Sequence, residues 1–88
     1  MSNLIVLDEK DNVAVVSDNV KMGEKLRYTQ NNNNIDLIAI NDVPIYHKIS
    51  IKDINKSEDI IKYGEKIGSA LENILVGEYV HTHNVGHY

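Results

Sequence analysis

The chain has 88 residues, enough for a single small domain over residues 1–88 and too few for a second core. Its formal charge of −4 excludes the dense positive surface on which nucleic-acid binding rests. It holds no Cys, Phe or Trp, which removes disulfide and thiolate chemistry and leaves the core to Ile, Val, Leu and some tyrosines, a composition suited to strands.

Residues 1–8 carry neither a basic n-region nor a long apolar run, so the expectation is a cytoplasmic chain without signal peptide or membrane span. Residues 4–7 (Leu-Ile-Val-Leu) and 13–16 (Val-Ala-Val-Val) predict an antiparallel strand pair about a polar turn. Gly23 reads as a turn residue, and residues 27–29 as a brief edge strand. The run Gln-Asn-Asn-Asn-Asn at 30–34 predicts a surface hairpin loop, because asparagine tolerates left-handed backbone and bonds its own chain. Residues 35–40 predict a clear strand. Pro44 disfavours helix at Val43. Ser50 is a fair N-cap for one helical turn over 50–54.

A pattern recurs at 19–26, 42–49, 53–60 and 73–80: Asn or Asp, an aliphatic, two free positions, a turn residue, a polar residue, a free position and an aliphatic. The intervals are irregular, so the pattern is no solenoid: it predicts a repeated corner joining short strands, the alternative being chance recurrence in an Ile- and Asn-rich chain.

The stretch 62–84 concentrates the chemistry. Gly64, Gly68 and Gly77 mark tight turns between short apolar runs, and no glycine-rich run precedes a helix to cradle phosphate. Strand periodicity puts His81 and His83 on one face with Tyr79, with Val80 and Thr82 opposite and Asn84 following. On the residues alone, the two histidines are either surface side chains or part of a site. Lys48 and Lys62 either pair with a substrate carboxylate or stay solvated. Tyr63 and Tyr79 read as packing residues.

Residues 47–49 (His-Lys-Ile), the glycine-bearing run 61–70 and Ile74-x-x-Gly77-Glu78-x-Val80-His81-x-His83-Asn84, with Asp11-Asn12-Val13-Ala14-Val15 upstream, resemble the N-terminal SAF domain of altronate dehydratases. The same domain occurs in related sugar-acid dehydratases and as the small subunit of sulfolactate sulfo-lyase. The resemblance implies an all-β, β-clip fold. It implies a small subunit of a two-component hydro-lyase working with a large catalytic subunit, inactive alone, on a sugar-acid substrate. The alternatives it leaves are a sulfolactate sulfo-lyase small subunit and a non-catalytic SAF-type binding or assembly module. It also implies a divalent metal, iron, in the assembled enzyme. His81 and His83 are then the candidate acid, base or ligands, His47 a third ligand of an incomplete set, and Lys48, Lys62 and Asn84 the substrate-binding candidates. Galactarate-type relatives lack the paired histidines, so His81 and His83 draw the chain toward the altronate and sulfolactate branch. Two turns depart from the family pattern, with Tyr46 and Ser57 where glycine is expected; His87 lies beyond the matched motif.

Overall fold

The recurring corner is the frame of the molecule. The computed structural model describes residues 2–86, and within them all four copies adopt one conformation. The second residue of each copy (Val20, Val43, Ile54, Ile74) sits in an isolated β-bridge, Val20 with Val43 and Ile54 with Ile74. The fifth turns at positive φ: Gly23 at 89°, Tyr46 at 69°, Ser57 at 75° and Gly77 at 89°. The eighth (Leu26, Ile49, Ile60, Val80) is fully buried. Burying such an aliphatic side chain contributes about 1.5–3 kcal/mol, which is why this position stays apolar.

The side-chain oxygen of the opening Asn or Asp accepts a backbone N–H from the corner bridged to its own. Asn19 Oδ1 takes the Ile45 N–H at 2.8 Å, and Asp42 Oδ1 takes that of Met22 at 2.8 Å. Asp53 and Asn73 do the same for Val76 at 2.9 Å and Lys56 at 2.8 Å. Each pair of corners is thus clamped reciprocally, satisfying turn amides that strand pairing leaves open. The sixth residue closes the turn onto the third through its N–H, in all four copies at 3.0 Å. In three copies it is also a glutamate whose carboxylate accepts the third residue's N–H: Glu24 from Lys21 at 3.2 Å, Glu58 from Asn55 at 2.7 Å and Glu78 from Leu75 at 3.1 Å. The second copy differs. Its third residue is Pro44, which has no N–H to cap, and its sixth is His47.

Strands β1 (Ser2–Ile5), β2 (Val13–Val16), β3 (Lys25–Gln30), β4 (Asn33–Ile38), β5 (Lys48–Ser50) and β8 (Tyr79–Val80) form a six-stranded sheet in the order β4-β3-β1-β2-β5-β8. Strands β6 (Asp59–Lys62), β7 (Glu65–Ala70) and β9 (Val85–Gly86) form a second sheet in the order β6-β7-β9. Pairing is antiparallel except between β1 and β3. One apolar cluster, built around Leu26, Tyr28 and Ile49, underlies the large sheet, and another, around Val13, Ile60 and Val80, joins it to the small one.

Asp11 and Asn12 tie the sheets together. Asp11, with no exposed surface, accepts the Gly64 N–H on Oδ1 at 2.8 Å and those of Leu7 and Asp8 on Oδ2, both at 3.2 Å. Asn12 accepts the Ile61 N–H at 2.7 Å and donates to the Asp59 carbonyl at 2.8 Å.

Among the described residues every regular element is a strand, so the fold is all-β, in keeping with a β-clip. The first strand pair is antiparallel as expected, though β1 ends at Ile5. The helical turn over 50–54 does not form: Ser50 ends β5, and its hydroxyl donates to the Lys52 carbonyl instead of capping a helix. Residues 27–29 belong to a six-residue strand between β4 and β1, not to an edge. The asparagine run turns at Asn31 and Asn32, with φ of 52° and 64°, while Asn33 and Asn34 already lie in β4. Tyr46 and Ser57 hold the left-handed conformation that glycine takes in the other corners. His87 lies outside the described residues.

Candidate functional site

The register between β5 and β8 assembles the site. Lys48 pairs with Val80 and Ile49 with Tyr79, so one step outward His47 stands opposite His81. Their rings meet with centroids 4.8 Å apart. Tyr79 lies against both: its ring stacks on His81 at 5.6 Å with an interplanar angle of 8°, and its hydroxyl is 2.6 Å from His47 Nδ1. The His83 ring approaches the same tyrosine from a tilted angle at 5.5 Å.

The histidines do not share a strand. β8 ends at Val80, and residues 81–84 form a turn in which the Asn84 and Val85 N–H groups donate to the His81 carbonyl at 3.0 and 3.1 Å. The alternation Tyr-Val-His-Thr-His reads equally well as strand or as strand followed by turn. Asn84 decides between them. It has no exposed surface; its Oδ1 accepts the His81 N–H at 2.9 Å, and its Nδ2 donates to the Tyr79 carbonyl at 2.9 Å and to Glu78 Oε2 at 3.4 Å. Sequence reasoning sets Asn84 after the two histidines as a substrate-binding candidate, a place that needs it open to solvent. The structure puts it beneath them, holding the turn that presents His81.

Beside the rings opens a cleft of about 230 Å³ lined by Lys48, Lys62, Ile67, His81, Thr82 and Val85. It brings Lys48, Lys62 and His81 to one wall, with His47 and His83 behind in the ring cluster. The sequence did not single out Ile67, Thr82 or Val85, nor Tyr79 as more than packing. The signal for the ring cluster was present in the corner alignment, where His47 replaces the glutamate of the other three copies.

The cleft is cationic, and Lys62 Nζ lies over the Tyr63 ring, 5.6 Å from its centroid. Ion pairs in the described residues join Lys25 and Arg27 to Asp36 and Lys66 to Asp59; Lys48 and Lys62 have no carboxylate partner among them. Burial, then the charge of Lys62, lowers the Lys48 ammonium pKa below the ordinary lysine value. Partial desolvation, followed by the charges of His47, Lys48 and His83, lowers that of His81 below the ordinary histidine value. A larger hollow of about 450 Å³ between β1 and β3 offers no such chemistry, its one charged side chain, Arg27, being engaged with Asp36 at 2.7 Å.

Among the described residues no three His, Asp or Glu side chains converge as a group that could hold a metal ion. His47, His81 and His83 therefore do not by themselves fit a divalent metal, which asks for more ligands than they converge to supply. No helix among the described residues is long and apolar enough to cross a membrane.

Fold and cleft together define a small β-domain that presents one partly desolvated cationic wall. The chain belongs to the altronate/galactarate dehydratase SAF domain family, whose model matches residues 2–87. It is 31% identical over 84 residues to an altronate dehydratase of Bacillus subtilis, an alignment covering 96% of this chain but 16% of that protein. It is 35% identical over 86 residues to the (2R)-sulfolactate sulfo-lyase subunit alpha of Chromohalobacter salexigens, covering 94% of this chain and 92% of that subunit. The corresponding subunit of Paracoccus pantotrophus is 41% identical over 56 residues, covering 64% and 84%.

Proposed function

We propose that this chain is the small subunit of a two-component, altronate dehydratase-like hydro-lyase, contributing a substrate-binding wall to a site that a large catalytic subunit completes. The observation that carries the reading is the pair of lysines, without a carboxylate partner among the described residues, beside His81 in a chain of net negative charge. Two such ammonium groups, one of them partly desolvated, suit a substrate carboxylate.

Dehydration of a 2,3-dihydroxy acid removes the proton at the carbon next to the carboxylate, and the neighbouring hydroxyl takes a proton to leave as water. The resulting enol becomes the 2-oxo acid. Lys48 and Lys62 anchor the carboxylate and stabilise the charge that spreads onto it when the proton is lost. His81, with its proton affinity lowered, is largely neutral near pH 7 and suited to take or return a proton. The divalent metal that the resemblance implies would draw its ligands from the partner subunit, since this chain's histidines do not make a set.

Coverage of 92% of a sulfo-lyase alpha subunit favours a second reading, elimination of sulfite in place of water. Purified chain, a co-expressed dehydratase-type large subunit and the reconstituted pair are assayed on altronate and on (2R)-sulfolactate. The expected result is water loss from altronate by the pair and none by the chain alone. Sulfite release instead selects the second reading. Turnover by the chain alone, or no binding between the two subunits, overturns the small-subunit reading.

A further inference from the structure

The four corners act as internal controls for one another. Three place glutamate at the sixth position and use its carboxylate to cap a turn amide. In the second corner Pro44 removes that amide, and His47, relieved of capping, turns to the Tyr79 hydroxyl 2.6 Å away. Tyr79 is itself well fixed. Its backbone N–H donates to Asn41 Oδ1 at 2.9 Å, and its ring contacts those of His81 and His83.

We propose that Tyr79 is a positioning residue for His47: its hydroxyl donates to Nδ1 and holds the ring as the Nε2–H tautomer. This rests on the functional reading above only for the turnover test, in which His47 acts through the His81 ring that it meets at a centroid distance of 4.8 Å and that lines the cleft. Of the two hydrogens that could lie between the atoms, the phenolic one belongs to the stronger acid, and it finds the better acceptor in an imidazole lone pair. The opposite arrangement would leave the hydroxyl hydrogen to solvent alone, since Tyr79 makes no other side-chain hydrogen bond among the described residues. Nδ1 is then occupied, and Nε2 carries a hydrogen and offers no lone pair. His47 is then a hydrogen-bond donor at Nε2 rather than a metal ligand.

Long-range 1H–15N correlation on the 15N-labelled full chain, above the ordinary histidine titration range, reads the tautomer directly. The expected spectrum shows a pyridine-type Nδ1 and a pyrrole-type Nε2 for His47. In Tyr79→Phe, which keeps the ring, that preference relaxes toward a mixture. A pyrrole-type Nδ1 in the wild-type chain overturns the proposal, as does an unchanged tautomer in the variant. In the reconstituted pair Tyr79→Phe is expected to lower turnover roughly tenfold to a hundredfold with KM shifted less than about threefold. An inactive wild-type pair defeats the functional reading while the spectrum still decides the dyad. A normal Tyr79→Phe turnover beside a shifted tautomer shows that His47 has no positioning need and also overturns the proposal.

Discussion

His47 donates its backbone N–H to the Pro44 carbonyl at 3.0 Å, closing the same turn as its counterparts, yet its side chain gives nothing back to Pro44. The corner is intact without the carboxylate cap. The side chain at this position is therefore free of the fold's demands, and the ring cluster is where it goes.

That separation predicts the double variant Pro44→Ala/His47→Glu. It restores the amide and the carboxylate that caps it, as in the other three corners. The new hydrogen bond contributes about 0.5–1.5 kcal/mol, and the loss of proline's restraint on the unfolded chain costs about 0.4–1 kcal/mol. Stability, read from urea denaturation, is expected to stay within about 1 kcal/mol of wild type. Turnover of the assembled enzyme is expected to fall roughly a hundredfold or more. A variant that unfolds would show that His47 is structural after all.

Backbone strain yields a second, opposite pair of outcomes at equivalent positions. Ser57 is exposed and sits at φ 75°, where a Cβ is costly, so Ser57→Gly is expected to raise stability by about 0.5–1 kcal/mol. Gly77 has φ 89°, and an added Cβ would collide with the Ile38 carbonyl oxygen. Gly77→Ala is expected to cost about 3 kcal/mol or more, because the obstacle is backbone. Thermal melts of the two variants check both signs.

Much of this was legible before folding because corner chemistry is local. Asx at the opening, an aliphatic at the bridge and a buried aliphatic at the eighth position mark each turn within eight residues, and each copy repeats the signal. What escaped depends on separation. The Asp11–Gly64 bond spans 53 residues and the His47–Tyr79 contact 32; the corner alignment marks His47 as the odd residue, but neither partner can be read from the neighbouring sequence. Lys48, Lys62 and His81 stand out by residue type and by resemblance, but the cleft between them required the two sheets to meet. Asn84 was misplaced because a buried clamp and a wet tip have the same composition.

A pH dependence follows from His81, whose folded pKa lies below the ordinary 6.5. As pH falls through 6.5 the unfolded chain takes the proton before the folded one, so this group's contribution to stability declines until the pH passes the folded pKa. An anion in the cleft opposes the same shift by stabilising the imidazolium. Binding of a small dicarboxylate is therefore expected to take up a proton and to tighten below pH 6.5. Ring-proton NMR titration of His81, with and without malonate, is expected to give a midpoint under 6.5 that moves up with ligand. An unmoved midpoint would place the anion elsewhere.

The last contrast separates the presented rings from the clamp under them. His81 and His83 are respectively half-buried and exposed; His81 meets the rings of His47 and Tyr79, and His83 that of Tyr79. Replacing both with alanine removes one stacked and two tilted ring contacts, about 0.5–1.5 kcal/mol each at most and less where solvent reaches them. The free chain is expected to stay folded, with a melting temperature lowered by only a few degrees. Asn84→Ala is expected to cost about 2–4 kcal/mol, since it strips a buried side chain bonded to the His81 N–H and the Tyr79 carbonyl and leaves both without partners. In the reconstituted enzyme the histidine pair is expected to lower turnover roughly a hundredfold at nearly normal stability. Asn84→Ala is expected to lose activity in proportion to the fraction unfolded and to whatever disorder it gives His81. Melting temperature and turnover measured on the same preparations place each residue. If the double histidine variant turns over normally, the rings are surface decoration, and the site must be sought on the lysines alone.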